Sequence, residues 1–386
     1  MQVHHSPEGG IGMRQMITGN GAAAWGARLS RAEIIPNFPI TPQTAIIEEI
    51  ASWIAEGEMN ADFLPMESEH SVMSALAAAS SAGTRVFSAT SSQGLMLMTE
   101  MMFITSGLRL PVMLVNVSRG LSAPITLWSD HNDALVQRDS GWLQIFCSNN
   151  QEALDSVVMG YRIAEDNDVL LPMMINLDGF TLSTTREPVE IPDQSEIDDF
   201  LPAYDPEHTI LDPKEPMSVG CVVFDEYMYF RSQQRMAMQN SKGLIKDVCS
   251  EWEKMTGRGY GLVEPYFTED AERVLVICGS ESAILKYTID KLRKDGERVG
   301  MLRLRAIRPF PCEEIIDALS DVEEIGVIDQ DVSPGSGGII ATEVKACLGG
   351  RNVTSFIAGL GGRRIGVEKY EKIFRRLGRD VEEWIF

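Results

Sequence analysis

Short apolar runs alternate with longer stretches of helical spacing along most of the chain. Residues 86–90 and 111–117 read as strands, the second of the kind buried on both faces of a parallel sheet. Between them, residues 95–106 predict a helix, and 43–56 and 71–81 predict two more upstream. The Ala-rich stretch from Thr18 to about Leu29 also reads as a helix. Residues 34–35 form a short apolar piece and 63–66 a strand end. This alternation continues to about Asn176 and predicts a doubly wound α/β domain.

The rhythm breaks at 185–220, where six prolines and many acids predict an extended excursion over the surface. Residues 227–260 carry helix formers of mixed charge and predict one or two long surface helices. A second α/β unit follows. It has strands at 274–277, 299–304 and 325–328, helices at 280–294 and 313–320, and a helix opened by Gly335-Ser336-Gly337-Gly338 that ends near Cys347. The expected division is an N-terminal polar tail at 1–15, a first domain at 16–260 and a second at 261–386. A length of 386 residues suits two or three domains of about 150 residues each.

Composition narrows the function. At 44% hydrophobic and 23% charged, the chain has apolar mass enough for packed cores. Its 34 Lys and Arg stand against 56 Asp and Glu, a net charge of −22. That balance argues against nucleic-acid binding, which needs a basic face, and against docking on an anionic membrane. No apolar run approaches about 18 residues, so no membrane span is expected. The first residues lack a signal-peptide core, so a cytoplasmic protein is expected. Cys147, Cys221, Cys249, Cys278, Cys312 and Cys347 are far apart and form no Cys-x-x-Cys pair. Neither a zinc or cluster site built by this chain nor a disulfide framework is expected, and six reduced, mostly buried thiols are. The 20 Met suit cores and contact surfaces.

Several loops could carry chemistry. Thr41 lies between Pro39 and Pro42, which limit the entropy lost in presenting its hydroxyl; alternatively Thr41 caps the next helix, with Pro42 at its first position. Glu67 and Glu69 share a face if their segment is extended and diverge if a helix starts at Ser68 or Glu69. One reading is a capping acid; the other is a buried carboxyl group that shares a proton with a ring nitrogen. Ser92 and Gln93 occupy a turn between a buried strand and a helix, where open parallel sheets bind ligands. That turn matches no phosphate-loop pattern. Arg119 follows the strand 111–117 and is placed either to grip an anion with its planar fork or to sit in a salt bridge. Residues 128–133 read as a polar loop lining an interface or cleft, and no metal site is expected there or elsewhere.

Taken together, GNGAAAWGARLSRAEIIPNFPITPQT, PMESEHSVMSALAAASSAGTRVFSATSSQGLMLMTEMMF, LPVMLVNVSRGLSAPITLWSDHNDALVQRDSGW and MINLDGFTLSTTREPVEIPD resemble alpha subunits of the 2-oxoacid:ferredoxin oxidoreductase family, of the pyruvate:ferredoxin oxidoreductase (pyruvate synthase) type. RAIRPFP, VIDQD and FIAGLGGR extend the resemblance over roughly 16–386. Gly21 departs from it, since the family often has Glu there. The resemblance implies a thiamine-diphosphate-binding domain of the pyrimidine-binding type, followed by a transketolase C-terminal-like domain. It implies oxidative decarboxylation of pyruvate with coenzyme A to acetyl-CoA and CO2, reversibly, with electrons passing to ferredoxin. Another 2-oxoacid (2-oxoglutarate, a branched-chain 2-oxoacid or oxalate) and a non-catalytic scaffold are the alternatives. By carry-over, Glu69 would hydrogen-bond the aminopyrimidine, Thr41 and Arg119 would hold the substrate, and Ser92 and Gln93 would line the cofactor. No Gly-Asp-Gly occurs in the chain. A beta-type subunit would therefore supply the diphosphate and Mg2+ site with a cluster, and gamma- and delta-type parts the coenzyme A contacts and further [4Fe-4S] clusters. Such interfaces are large and obligate.

Overall fold

The computed structural model describes residues 12–207 and 209–386. Its first half runs β1 (Met13–Thr18), α1 (Gly19–Leu29), β2 (Ile34–Asn37), α2 (Thr44–Ala55), β3 (Asp62–Pro65), α3 (Glu69–Ser81), β4 (Phe87–Thr90), α4 (Gln93–Gly107) and β5 (Met113–Ser118). It continues with α5 (Asn132–Val136), β6 (Leu143–Phe146), α6 (Asn150–Ala164), β7 (Met173–Asp178), β8 (Arg186–Ile191), α7 (Gln194–Phe200) and α8 (Phe224–Thr256). The second half contains β9 (Val263–Tyr266), β10 (Arg273–Cys278), α9 (Ser282–Lys294), β11 (Val299–Leu304), β12 (Ala306–Arg308), α10 (Cys312–Leu319), β13 (Glu324–Asp329), α11 (Ile339–Cys347), β14 (Val353–Ile357), α12 (Val367–Phe374) and β15 (Glu382–Trp384).

The first sheet has the order β12-β6-β7-β5-β4, parallel except for β12. The parallel pair β2-β3 continues it through a bridge from Ile34 to Val86. Every residue of β5 and β7 is buried, as helices on both faces require. Successive β5 side chains point to opposite faces. Met113, Val115 and Val117 therefore enter the core under α1 and α6, while Leu114 enters the core under α3 and α4. Small residues let α1 lie close on α6: a Cβ at Gly26 would stand 2.7 Å from the Val157 Cβ.

The second sheet, β15-β14-β13-β10-β11-β9, is parallel apart from antiparallel β9. One hydrophobic core spans both halves, joining Leu114, Trp142 and Phe146 to Val276, Leu302 and Leu304. Glu152 of α6 reaches across to Arg303 at 3.2 Å and Arg305 at 2.7 Å. Burial alone would raise the Glu152 carboxyl, but the two guanidiniums draw it down to about 2.

Four expectations need correction. Residues 13–15 are not tail: they belong to β1, which pairs antiparallel with β8, and residues 1–11 lie outside the described residues. The 185–220 segment is only partly an excursion, because β8 and α7 occupy its start; Val189, Ile191 and Ile197 bury their side chains there. The one or two helices expected in 227–260 are one, α8, and the correction is to its placement: Ile245, Val248 and Trp252 pack into the first core, so it is not wholly a surface helix. Its N-terminal part instead exposes Phe224, Tyr227, Met228, Tyr229 and Phe230. Finally, Cys312 and Cys347 are disulfide-bonded, and Cys221 is exposed. The packing of α10 on α11 brings the two Cα atoms to 5.5 Å, within bonding range, although 35 residues separate them.

Candidate active site

Carboxyl ends of β2, β4 and β5 converge, and the loops leaving them carry most of the singled-out residues. After β2, the chain turns through residues 38–43. Thr41 is exposed and does not cap α2, whose cap position is Gln43 without a side-chain hydrogen bond. Instead the Thr41 carbonyl accepts from Arg119 Nη1 at 2.7 Å. The loop is fastened from behind by buried Asn20, whose Nδ2 donates to the Pro42 carbonyl at 2.8 Å.

The two glutamates diverge. Ser68 caps α3, its hydroxyl accepting the Ser71 N–H at 3.3 Å, and Glu69 becomes the first helical residue. Glu67 stays exposed and accepts from the Ser71 hydroxyl, which holds its carboxyl below the usual range. Glu69 turns inward, is 7% exposed, and makes no hydrogen bond among the described residues. It faces the first turn of α4. A Cβ on Gly94 would stand 2.6 Å from both Glu69 Oε1 and Thr90 Oγ1. Glycine at 94 is what leaves room for the carboxylate.

The turn between β4 and α4 is bent: Ser92 has φ +50° and ψ −118°, a conformation sparsely occupied by residues other than glycine. Its one hydroxyl proton is shared between Gln93 Oε1 at 2.7 Å and the Gly120 carbonyl at 3.0 Å. Gln93 Oε1 also accepts from Arg119 Nη2 at 2.7 Å. Arg119, 7% exposed, is thus pinned between the Thr41 loop and the Gln93 turn, with two of its five N–H donors engaged. Its Nε is buried without a partner. Burial pulls the Arg119 pKa down and Asp133 opposes this; a guanidinium stays charged through such a shift.

Asn20 and Thr90 were not given a role from sequence, Gly94 was seen only as part of its turn, and Asp133 only as part of the polar loop 128–133. Asp133 accepts the backbone N–H groups of Ser92 at 2.9 Å, Arg119 at 3.1 Å and Ala134 at 2.7 Å. Burial nevertheless pushes its carboxyl up to about 6, against the pull of those bonds. The 128–133 loop does line an interface: His131 N–H donates to the Gln330 carbonyl at 2.8 Å, and Asn132 exchanges hydrogen bonds with Val332 at 2.9 and 3.1 Å.

Adjacent residues Gln93 and Gly94 therefore bring a guanidinium and a carboxylate to one turn. Around it, Thr90 Oγ1, Ser91 Oγ and Arg119 Nε are buried without the partners that buried polar groups normally have, and the Glu69 carboxylate stands beside them. Such a set suits a ligand with a ring nitrogen for Glu69 and an anionic group for Arg119. The neighbouring loop exposes Ile125, Leu127 and Trp128, and α4 exposes Leu97, an apolar rim of the kind that marks a protein interface. The cavity of about 530 Å³ lined by Arg28, Arg31 and Arg85 lies elsewhere. Its guanidiniums are spent on Glu58, Asp198 and Glu165, so we assign it no chemistry.

Two family models match the chain. Residues 26–250 match pyruvate flavodoxin/ferredoxin oxidoreductase, thiamine diP-bdg (thiamine diphosphate-binding). Residues 271–370 match pyruvate:ferredoxin oxidoreductase core domain II. The pyruvate synthase subunit PorA of Methanothermobacter thermautotrophicus is 48% identical over 333 residues, 86% of this chain and 87% of that one. The ketoisovalerate oxidoreductase subunit VorA of Pyrococcus horikoshii is 42% identical over 86% of this chain and 84% of its own. Among solved structures, a 2-oxoglutarate:ferredoxin oxidoreductase from Magnetococcus marinus, with 2-oxoglutarate, coenzyme A and succinyl-CoA bound, superposes with TM-score 0.75 at 18% identity. It covers 94% of this chain, which spans 64% of that one. A split-gene transketolase, described as an inactive beta4 tetramer, has TM-score 0.52 at 9% identity, over 94% of this chain and 98% of its own. These last two likenesses are of fold.

Proposed function

The chain belongs to the pyruvate:ferredoxin oxidoreductase family, and from that premise we propose that it is the alpha-type subunit of a 2-oxoacid:ferredoxin oxidoreductase acting on pyruvate. The reaction is oxidative decarboxylation with coenzyme A, giving acetyl-CoA and CO2, with electrons leaving to ferredoxin. One observation carries the site assignment: the inward-turned Glu69 carboxylate and the buried Arg119 guanidinium meet at the single turn Ser92–Gly94.

Thiamine diphosphate, when bound, supplies the nucleophilic carbon and the electron sink that decarboxylation needs. Glu69 would hold a proton at the aminopyrimidine ring nitrogen from its place at the start of α3. Arg119 would grip the substrate carboxylate with its remaining donors, backed by Thr41 at the loop edge. Gln93 fixes the orientation of the guanidinium, and Ser92 fixes Gln93. Both keep the cofactor-side turn in shape.

The diphosphate and its Mg2+ would be held by a beta-type subunit, because this chain has no Gly-Asp-Gly pattern. That subunit and gamma- and delta-type parts would carry the [4Fe-4S] clusters and coenzyme A contacts. The apolar rim at Ile125, Leu127 and Trp128 and the exposed start of α8 support partners on this chain. Division at residue 260 belongs to the same proposal, with 16–260 as the cofactor-binding unit and 261–386 as the transketolase-like unit. No helix among the described residues is long and apolar enough to cross a membrane. A net charge of −22 opposes docking on an anionic surface, which supports a cytoplasmic location.

The test is to purify the chain with its copurifying partners under anoxia and measure viologen reduction dependent on pyruvate and coenzyme A. Equal activity of the chain alone would overturn the reading. The ketoisovalerate relative at 42% identity favours a branched 2-oxoacid as the second reading. One methylene is worth about 1–3 kcal/mol of discrimination, so a 2-oxoacid panel decides between them by kcat/KM.

A further inference from the structure

One carboxylate oxygen joins the two turns that build the site. Asp133 Oδ2 accepts the Ser92 amide at 2.9 Å and the Arg119 amide at 3.1 Å, and the side chain is fully buried. The first amide belongs to the turn after β4, which carries Gln93. The second belongs to the residue whose guanidinium Gln93 holds. The Ser92 hydroxyl crosses to the Gly120 carbonyl as a second tie. Helix α5 does not need this carboxylate as its cap, because the cap position is His131 and Asp133 Oδ1 reaches only the next amide. Ser92, in contrast, needs an external hold. Its backbone region is unfavourable for a residue with a side chain and persists only when its surroundings impose it.

We infer that Asp133 is a positioning residue for 2-oxoacid recognition: its carboxylate clamps the Ser92 and Arg119 amides to one point, and so sets where the Gln93–Arg119 pair presents its guanidinium. The inference rests on the function proposed above. Asp133 acts only through the two amides. An ionised carboxylate can serve several N–H groups with charge-assisted bonds. An asparagine of the same shape sets its NH2 either against the Ala134 N–H or against the Ser92 and Arg119 N–H groups; either way a donor faces a donor, and the side chain shifts from the clamped position.

The experiment uses the assembled complex with Asp133→Asn, and with Asp133→Glu as the variant that keeps the charge. Asp133→Asn is expected to raise KM for pyruvate about ten- to hundred-fold, the cost of a displacement near 1 Å, with a smaller fall in kcat. Asp133→Glu should recover part of the loss. Hydrogen exchange supplies a readout independent of turnover: the Ser92 and Arg119 amides should exchange at least about tenfold faster in Asp133→Asn, while the amides within β5 and β7 stay protected. Unchanged KM in the active variant overturns the inference, as does loss of protection spread evenly over the sheet. A wild-type complex that turns over no 2-oxoacid overturns the proposed function instead, and leaves the exchange result to decide the clamp.

Discussion

His131 Nε2 lies 2.7 Å from Asp178 Oδ1 in the seam between the two α/β units. The other oxygen of Asp178 accepts the Ser280 amide at 2.7 Å and its hydroxyl at 2.5 Å, so a residue of the first sheet is bonded to the loop after β10. Burial alone would lower the His131 pKa, but Asp178, with Asp331 and Asp130 behind it, raises it. Burial alone would raise Asp178, but His131 and Ser280 lower it.

This pair predicts a stability profile with two limbs. The raised His131 contributes fully below its unfolded value near 6.5, and its contribution is lost as pH rises through the folded pKa. The lowered Asp178 contributes above about 3.8 and is lost as pH falls. Asp178→Asn leaves a buried imidazolium without its counter-charge and should cost about 3–5 kcal/mol, read by thermal melting near pH 6. The melting gap between wild type and His131→Gln should narrow toward pH 9. A gap constant across that range contradicts an ion pair.

Glu69 and Gly94 predict a non-additive pair. Glu69→Gln keeps shape and removes the charge, so turnover should fall about 10²–10⁴-fold, the range of a proton-transfer group, with assembly retained. Gly94→Ala places a Cβ 2.6 Å from Glu69 Oε1 and should displace the carboxylate. The double variant should be little worse than Glu69→Gln, since both changes remove one interaction. Full additivity in viologen-reduction assays, or near-normal turnover of Glu69→Gln, would sever Glu69 from the chemistry and favour a scaffold.

Arg119→Lys tests the fork. Lysine keeps the charge but loses the planar arrangement that bonds Gln93 and Thr41 together. Loss of one charge-assisted bond, about 1.5–3 kcal/mol, corresponds to roughly a ten- to hundred-fold rise in KM for the 2-oxoacid. Steady-state kinetics on a pyruvate series checks it, and an unchanged KM removes Arg119 from substrate binding.

What the sequence made legible follows from which signals are local. The strand at β5 is visible because both its faces are buried, and Arg119 is visible because it sits just past that strand's end. The Ser92–Gly94 turn is found by the rule that parallel sheets bind ligands at their carboxyl ends, and Thr41 by the prolines that stiffen its loop. Residues that act across long separations gave no local signal. Asp133 meets Ser92 across 41 positions, and Asp178 meets Ser280 across 102; neither pairing leaves a periodic trace. Cys312 and Cys347 likewise became partners only once α10 packed on α11. Strand β1 was missed because its alternating exposure reads as polar until β8 is known to cover it.

Glu152 should govern acid unfolding of the seam. Its carboxyl is fully buried between Arg303 and Arg305 and is held near 2 against an ordinary value of 4.5. A group depressed on folding contributes stability that is complete above its unfolded pKa and is lost as pH falls toward the folded one, here between about 4.5 and 2. The two guanidiniums would be left buried without their shared acid in Glu152→Gln, so the variant should lose about 3–5 kcal/mol at neutral pH. Its acid limb should be shallower than that of the wild type, because it has one fewer proton to take up. Denaturant melts from pH 7 to pH 3 measure both. Arg305 also bonds Ser156 at 2.9 Å and the Gly261 carbonyl at 3.3 Å, whereas Arg303 is shared with Glu264. Arg305→Met should therefore destabilise more than Arg303→Met, since it leaves the Ser156 hydroxyl and the Gly261 carbonyl without this donor, whereas Arg303→Met leaves Glu264 its Lys286 partner.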